Sequence, residues 1–140
     1  MNLVAYSVRT KGISNFARRL WTVFARFGIT EGPARRSFDA TVEVLRAHGA
    51  APTYFIPAVV LGRHPRLISA VAAAGAEIGI HGYFHNDYRT LPAAAQLDQT
   101  KRAADLFARV GIPFQGFRNP YLGWNDDALD VFRAVGFTYD

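Results

Sequence analysis

The sequence predicts a parallel α/β fold, and three observations support this prediction. Short apolar segments of strand length alternate with longer segments in which apolar residues recur at helical spacing. Polar and ionisable residues cluster directly after several predicted strands, which is the edge where parallel α/β folds carry their chemistry. The chain also stops as a fifth strand begins, which is too few strands to close a parallel barrel. Either the fold is an open sheet or these residues are only part of a barrel, and we favour the partial barrel because a domain that ends in an apolar strand would leave an unpaired edge.

The first third of the chain predicts one strand and two helices. Residues 3–8 form a short apolar segment of strand length, and residues 13–27 carry apolar side chains at helical spacing. Gly28 can end that first helix, since glycine adopts the left-handed conformation common just after a helix. A second helix follows the turn at residues 30–33 and is expected to close near Gly49.

The middle of the chain predicts two strands that flank one helix. Residues 52–57 are strand-like and bounded by prolines, which disfavour extension of a strand at either end. A helix is expected from about Pro65 until Gly75 stops it. Residues 76–80 then form a short apolar strand that ends at a histidine-rich segment.

The last third predicts two more helices, each followed by a strand. Pro92 opens a long helix that ends at Gly111, and Asn125 can cap a second helix that ends at Gly136. The two expected strands cover residues 114–117 and 137–139.

Length and composition favour a globular domain and exclude several kinds of site. The 140 residues fit one domain, half of them are hydrophobic and 14% are aromatic, which is enough for a substantial core. The sequence has no cysteine, so it forms neither a disulfide nor a thiolate metal site. Any metal must therefore bind to histidine, a carboxylate or backbone oxygen.

The positive charge is concentrated at the start of the chain. Residues 1–36 hold seven basic residues and one acid, a net charge of +6, whereas the remainder holds nine basic and ten acidic residues, a net charge of −1. This surplus fits either a surface that attracts an anionic ligand or a solvated helix face, and we favour the solvated face.

The sequence also limits the partners and the location that we expect. It has no basic–aromatic repeat or recognisable nucleic-acid module, so we expect no nucleic-acid partner. No apolar run approaches the length of a membrane span, and no secretory leader is predicted. This favours a cytoplasmic protein, or an exported one if the natural N-terminus lies upstream, while the oligomeric state stays unknown.

The most informative segment follows the strand at residues 76–80. His81 and His85 are four residues apart, and Asp87 comes two residues later. If the backbone turned helically here, both imidazoles would lie on one face and could bind one cation, for which zinc is a suitable choice. The alternative is one spare and one structural histidine, but the position at a strand end favours a metal or catalytic site.

Three segments together resemble the polysaccharide deacetylase family, also known as the NodB homology domain or carbohydrate esterase family 4. They are residues 52–57, which are similar to the second strand of that family, residues 77–87, which resemble its histidine motif, and residues 116–121, which resemble its Arg-x-Pro motif. Their order and spacing agree over roughly residues 37–140. The resemblance implies a distorted (β/α) barrel of the glycoside hydrolase/deacetylase type, of which this chain holds an incomplete part.

The resemblance also implies an activity and roles for particular residues. The family hydrolyses an amide carbon–nitrogen bond, usually that of an N-acetylated sugar or polysaccharide, with a divalent metal held by the motif histidines, here His81 and His85. Arg118 matches the arginine that orients the catalytic base, and the backbone N–H of Tyr121 matches a group that helps to hold the oxyanion. Trp124 or Tyr121 could stack on the sugar.

One expected motif of the family is missing from this sequence. The family has an Asp-Asp pair after its first strand, whereas this chain has no aspartate before Asp39 and carries Arg9 and Lys11 at that place. Two cations there would repel a metal ion. Asp87 is then our candidate for the base or the third ligand, held by Arg118. The alternative is that Asp87 caps a turn or pairs with Arg118 for purely structural reasons.

Two rival functions stay open at this point. One is a metal-independent, allantoinase-like amidohydrolase, in which Arg9 or Lys11 binds a carboxylate or phosphate of a small anionic amide. The other is a non-catalytic relative that binds glycan through Tyr121, Trp124 and the basic N-terminal segment. The missing Asp-Asp pair is the reason for considering the second rival.

Overall fold

A computed structural model of the protein describes residues 31–140. The chain divides into two compact units, residues 1–38 and residues 39–140. The strand predicted at residues 3–8 and the helix predicted at residues 13–27 lie outside the described residues. The single domain expected from the length of the chain stays a prediction.

The described residues alternate helices with strands, as the sequence predicts. The elements are α1 (Gly32–Ala47), β1 (Thr53–Ile56), α2 (Ala58–Arg63), α3 (Pro65–Ala73), β2 (Glu77–Ile80), α4 (Ala93–Val110) and α5 (Asp126–Val135). Two short 3₁₀ turns, Tyr88–Thr90 and Pro120–Leu122, follow β2 and α4 along the chain. The six-residue helix α2 is the one described helix that the sequence analysis did not predict. None of the helices within residues 31–140 has the length and apolar character needed to cross a membrane.

The predicted start of α5 and the predicted ends of α4 and α5 are confirmed, and local interactions determine all three. The Asn125 side chain accepts a hydrogen bond of 3.0 Å from the Ala128 N–H, which satisfies one of the free donors at the start of α5. Gly111 and Gly136 end α4 and α5 with φ of 78° and 91°, a left-handed conformation that glycine adopts without a steric penalty.

The strands form one parallel arrangement that two isolated bridges extend. β1 and β2 pair in parallel over their full lengths of four residues each. Single parallel bridges then join Ile80 to Phe117 and Gly116 to Tyr139. The two strands predicted after α4 and α5 are therefore present only as bridge residues, although their order and direction agree with a parallel barrel wall.

One face of this sheet is packed into the core. Ile78, Ile80 and Phe117 are buried, with at most 2% of each side chain exposed. The ring of Phe117 lies 4.3 Å from Phe132 on α5 and 5.6 Å from Tyr88, between centroids. The core thus fixes β2 and the Phe117 segment relative to each other, and polar residues follow both of them.

The opposite face of the sheet has glycines where aromatic rings pass over the strands. A Cβ atom at Gly79 would come within 2.6 Å of the Phe55 ring, and one at Gly116 would overlap the Tyr139 ring. The Phe55 and Tyr139 rings meet edge to face at 6.3 Å. The Arg118 guanidinium lies 5.0 Å from the centroid of Phe55, so this aromatic layer also supports a residue of the predicted site.

A small polar cluster lies at the end of the sheet away from the histidines and joins the first residues of β1 and β2. The Thr53 hydroxyl donates to Glu77 at 2.6 Å, and the Tyr139 hydroxyl also donates to this carboxylate. The bonds from Thr53 and Tyr139 lower the pKa of Glu77 below its usual value. Burial and the neighbouring carboxylate raise the pKa of Tyr139 to about 12.

Replacing Gly116 by alanine is expected to destabilise the protein. The new methyl group would occupy space filled by the Tyr139 ring, so strand and ring would have to move apart. Overpacking of this kind costs about 1–3 kcal/mol. The measurement is the free energy of unfolding from urea denaturation.

A double-mutant cycle provides the control for this prediction. In a Tyr139→Leu background the ring is gone, and Gly116→Ala should cost much less than in the wild-type chain. An equal cost in both backgrounds would show that contact with Tyr139 is not the reason for the glycine.

Candidate functional site

The two histidines of the predicted site lie close together. His81 directly follows β2, and the ring centroids of His81 and His85 are 4.9 Å apart at an interplanar angle of 68°. The expected helical turn is absent, because residues 81–87 form an irregular bend. Gly82, with φ of 76°, produces the turn that brings the rings together.

A hydrogen bond determines the orientation and the tautomer of His81. Its Nδ1 lies 2.6 Å from the carbonyl oxygen of Arg118, which can only accept, so Nδ1 carries the proton and donates it. Burial lowers the pKa of His81, which favours the neutral ring with a lone pair on Nε2. Metal-binding histidines commonly show this arrangement, with the second ring nitrogen donating to a backbone carbonyl.

Helix α2 holds the backbone between the two histidines. Its first two N–H groups, those of Ala58 and Val59, donate to the carbonyls of Gly82 and Tyr83 at 2.9 and 3.1 Å. These are N–H groups that a helix start leaves without an intrahelical partner. The unpredicted helix therefore contributes directly to the geometry of the histidine segment.

Asp87 caps the 3₁₀ turn and pairs with Arg89. Its carboxylate accepts from the Arg89 backbone N–H at 3.1 Å and from Nε and Nη2 of the same residue at 3.0 and 2.7 Å. The bonds from Arg89 lower the pKa of Asp87. The prediction that Arg118 holds Asp87 is wrong, since the partner of Asp87 is two residues away in the chain. A Cβ atom at Gly123 would touch this ion pair, so the glycine leaves room for it.

The carboxylate beside Arg118 belongs to Asp140. Its Oδ1 lies 3.9 Å from Nε of Arg118 and accepts a 3.0 Å hydrogen bond from the Asn119 backbone N–H. The negative charge of Asp140 also acts on His81, where it opposes the lowering of the pKa. The sequence analysis missed Asp140, although it directly follows the predicted strand at residues 137–139 and so met the criterion applied to the other site residues.

The described residues bring His81 and His85 together but contain no complete metal site. Within residues 31–140, no group of three or more His, Asp and Glu side chains is placed to hold a metal ion. Asp87 is therefore not placed as a third ligand beside His81 and His85. Arg9 and Lys11, the predicted cationic substrate contacts, lie outside the described residues.

Exposed aromatic and apolar side chains follow Pro120, and one of them contacts His85. Tyr121 and Trp124 are 66% and 57% exposed, and Leu122 is 71% exposed. The Tyr121 ring lies 4.7 Å from that of His85, between centroids. Both predicted sugar-stacking residues are thus accessible, and Tyr121 is next to the histidine pair.

The Pro120–Leu122 turn has an unusual backbone. Tyr121 and Leu122 both adopt left-handed conformations, with φ of 60° and 53°. Such a conformation costs a residue other than glycine about 1–2 kcal/mol. The turn is closed by bonds from Leu122 N–H to Asn119 O and from Gly123 N–H to Pro120 O. Neither bond uses the Tyr121 N–H, the group that the family resemblance assigns to the oxyanion.

Comparison with known proteins gives the family of the chain. The sequence profile of the polysaccharide deacetylase family matches residues 29–139, which include both histidines and the Arg118–Tyr121 segment. The chain belongs to the polysaccharide deacetylase family. It is a divergent member, since no Asp-Asp pair precedes Asp39.

Individual relatives agree with this family and confirm the predicted fold class. A peptidoglycan deacetylase-like protein of Gibberella zeae is 33% identical over 89 residues, which are 63% of this chain. A family 4 carbohydrate esterase from Streptomyces lividans, solved with acetate, matches 74% of the chain with a TM-score of 0.66 and 26% identity. A family 4 pseudoenzyme from Bacillus anthracis matches 75% with a TM-score of 0.70 and 18% identity.

The chain corresponds to only part of these relatives. It spans 26% of the Gibberella zeae protein, 54% of the Streptomyces lividans chain and 38% of the Bacillus anthracis chain. The predicted barrel of the deacetylase type is confirmed as a fold class by the two solved structures, and the described residues form part of its wall.

Replacing Leu122 by glycine is expected to stabilise this polysaccharide deacetylase family member. Glycine adopts a φ of 53° without the steric cost that leucine bears, and the exposed Leu122 side chain loses little packing. After the greater entropy of glycine in the unfolded chain is subtracted, we expect a gain of about 0.5–1 kcal/mol.

The measurement is the midpoint of urea denaturation, and Leu129→Gly, inside helix α5, is the matched control. The control should destabilise by about 1 kcal/mol or more. A loss of stability in Leu122→Gly would contradict the assignment of backbone strain to this position.

Proposed function

We propose that this chain belongs to a hydrolase that acts on non-peptide carbon–nitrogen bonds and removes acetyl groups from an N-acetylated sugar or polysaccharide with the help of a divalent metal. The observation that carries the proposal is the geometry of His81, whose Nδ1–H is bound to the Arg118 carbonyl. This leaves Nε2 as the available lone pair beside the ring of His85. Membership of the polysaccharide deacetylase family supports the same chemistry.

The histidine pair fits two positions of a zinc site. Neutral imidazole is a preferred zinc ligand, and the bond from His81 to a backbone carbonyl is the outer contact typical of such ligands. Zinc, when bound, would supply Lewis acidity toward the amide carbonyl. Donors in addition to His81 and His85 are needed, since the described residues offer no third side chain in place.

We assign the proton transfers to Asp140, which Arg118 and the Asn119 N–H orient. The Asp140 carboxylate takes a proton from the attacking water as the new C–O bond forms. It then returns that proton to the leaving nitrogen as the C–N bond breaks, which yields acetate and a free amine. Asp87 is the other candidate base, but its oxygens already accept three bonds from Arg89.

We assign substrate contacts to two exposed aromatic residues, Tyr121 beside His85 and Trp124 three residues later in the chain. Tyr121 and Trp124 offer flat apolar surfaces on which a sugar ring can stack. The Tyr121 N–H, which does not take part in closing its own turn, is assigned to the developing oxyanion. These roles require an accessible rim, and both side chains are more than half exposed.

A non-catalytic glycan-binding protein is the second candidate function. Two observations favour it: the described residues lack a third metal ligand, and one structural neighbour is a pseudoenzyme. In this case Tyr121 and Trp124 would bind sugar without turnover. The metal-independent amidohydrolase, which depends on Arg9 and Lys11, stays a prediction from the sequence.

Removing either histidine is expected to weaken zinc binding and to reduce acetate release. In His81→Ala and His85→Ala, one of two nitrogen donors is lost, so zinc affinity should fall at least about 100-fold. Zinc content after dialysis and acetate release from N-acetylated sugar oligomers are the two measurements.

His48→Ala is the control, because among the described residues the His48 ring bonds to the Val44 carbonyl of its own helix end. It should change neither measurement. Absence of zinc from the wild-type protein, together with unchanged acetate release in both histidine variants, would end the metal-assisted proposal. Glycan binding that needs Trp124, with no acetate released, would instead favour the second candidate.

Two matched substitutions, Asp140→Asn and Asp87→Asn, distinguish the two carboxylates. Asp140→Asn keeps the shape of the side chain but removes the base, so kcat should fall about 10²–10⁴-fold with little change in KM. Asp87→Asn should leave kcat within a few-fold, since Asp87 caps a turn. Steady-state rates of acetate release provide the measurement. The opposite pattern would return the role of base to Asp87.

A further inference from the structure

Gly123 packs closely against an ion pair that follows the histidines in the chain. A Cβ atom at this glycine would lie 2.6 Å from Nε of Arg89 and 2.9 Å from Oδ1 of Asp87, closer than a side chain could come. The backbone of Gly123 is extended, with φ of −96° and ψ of 117°, a conformation open to any residue. The glycine therefore provides space for the ion pair and is not needed for backbone freedom.

The same two segments meet at a second point. The ring of Tyr121, two residues before Gly123, lies 4.7 Å from the ring of His85, between centroids. The bonds that close the Pro120–Leu122 turn run from N–H groups to carbonyls three residues earlier, so they shape the turn without attaching it to the histidines. Among the described residues, the contacts at His85 and at the ion pair therefore help to locate this turn.

The ion pair beneath Gly123 has a defined geometry. Nε and Nη2 of Arg89 donate to the two carboxylate oxygens of Asp87 at 3.0 and 2.7 Å, a two-point contact between planar groups. The Arg89 side chain is 56% exposed and that of Asp87 is 25% exposed, and exposed pairs of this kind add little to the stability of a fold. The pair therefore matters chiefly for the backbone that packs against it.

We propose that Arg89 is a positioning residue for the substrate, because its guanidinium, held by Asp87, sets how far the Tyr121–Trp124 segment lies from the histidines. It acts through Gly123, which separates Trp124 from the Pro120–Leu122 turn, and not by contact with the sugar. The functional part of this inference rests on the sugar contacts proposed above for Tyr121 and Trp124. The packing of Gly123 on the ion pair does not depend on them.

The test is Arg89→Ala, which removes the guanidinium but keeps the backbone N–H that donates to Asp87. For acetate release from N-acetylated sugar oligomers, KM should rise about 3–10-fold while kcat changes less than about twofold, the pattern of lost ground-state binding. The ring-proton resonances of His85, followed by NMR without substrate, should also shift, because the ring of Tyr121 moves. Arg133→Ala is the matched control, since this exposed arginine pairs with Asp130 within α5. The control should change none of these quantities.

Gly123→Ala is a second variant that tests the same contact from the other side. Its methyl group would press against the ion pair, so KM should again rise. In an Arg89→Ala background the opposing Nε is gone, and adding Gly123→Ala should raise KM by a smaller factor than it does in the wild-type chain. Equal factors in both backgrounds would overturn the inference.

The remaining outcomes separate this inference from the proposed function. Unchanged His85 resonances in Arg89→Ala overturn it, and so does a fall in kcat at constant KM. Shifted resonances with a raised KM support it. If the wild-type chain releases no acetate, the proposed deacetylation fails, and the dissociation constant for the same oligomers, measured by calorimetry, takes the place of KM. If the chain binds no oligomer either, the substrate role of Arg89 is overturned together with the sugar contacts.

Discussion

The hydrogen bond from His81 Nδ1 to the Arg118 carbonyl connects the two parts of the candidate site. It links the end of β2 to the segment that follows Phe117. Because it holds Nδ1 of the imidazole, it also sets the direction of the lone pair on Nε2. The same backbone segment carries the Arg118 side chain toward Asp140 and the Asn119 N–H toward the same carboxylate. The bridge between Ile80 and Phe117 aligns the two segments, and this bond adds a fixed orientation of the His81 ring relative to the segment that carries Arg118.

Most elements in the described part of the chain could be predicted because their signals are local. An asparagine cap, left-handed glycines and proline boundaries determine helix and strand ends within a few residues, as at Asn125 and Gly136. Helix α2 could not be predicted in this way. No side-chain cap begins it, and its first N–H groups find their partners at Gly82 and Tyr83, more than twenty residues later in the chain.

The same distinction explains why the sequence analysis named Asp87 and missed Asp140. Asp87 is close to the histidines in sequence, but Arg89, two residues further on, pairs with it in a local ion pair. Asp140 reaches Arg118 only because a parallel bridge between Gly116 and Tyr139 aligns the two strand ends. The histidine pair could therefore be predicted, because its members are close along the chain. The partner of Arg118 could not, because it depends on strand pairing that a sequence pattern does not specify.

The absence of side chains at Gly79 and Gly116 has a consequence for the evolution of this site. Phe55 lies in the space above Gly79 and supports the Arg118 guanidinium, and Tyr139 lies above Gly116 beside Asp140 in the chain. Any lineage that acquires a larger residue at either glycine would displace an aromatic ring and, with it, a charged group that the new residue never contacts. Gly79 and Gly116 should therefore change as slowly in evolution as the ionisable residues of the site, although neither has a side chain that could take part in a reaction.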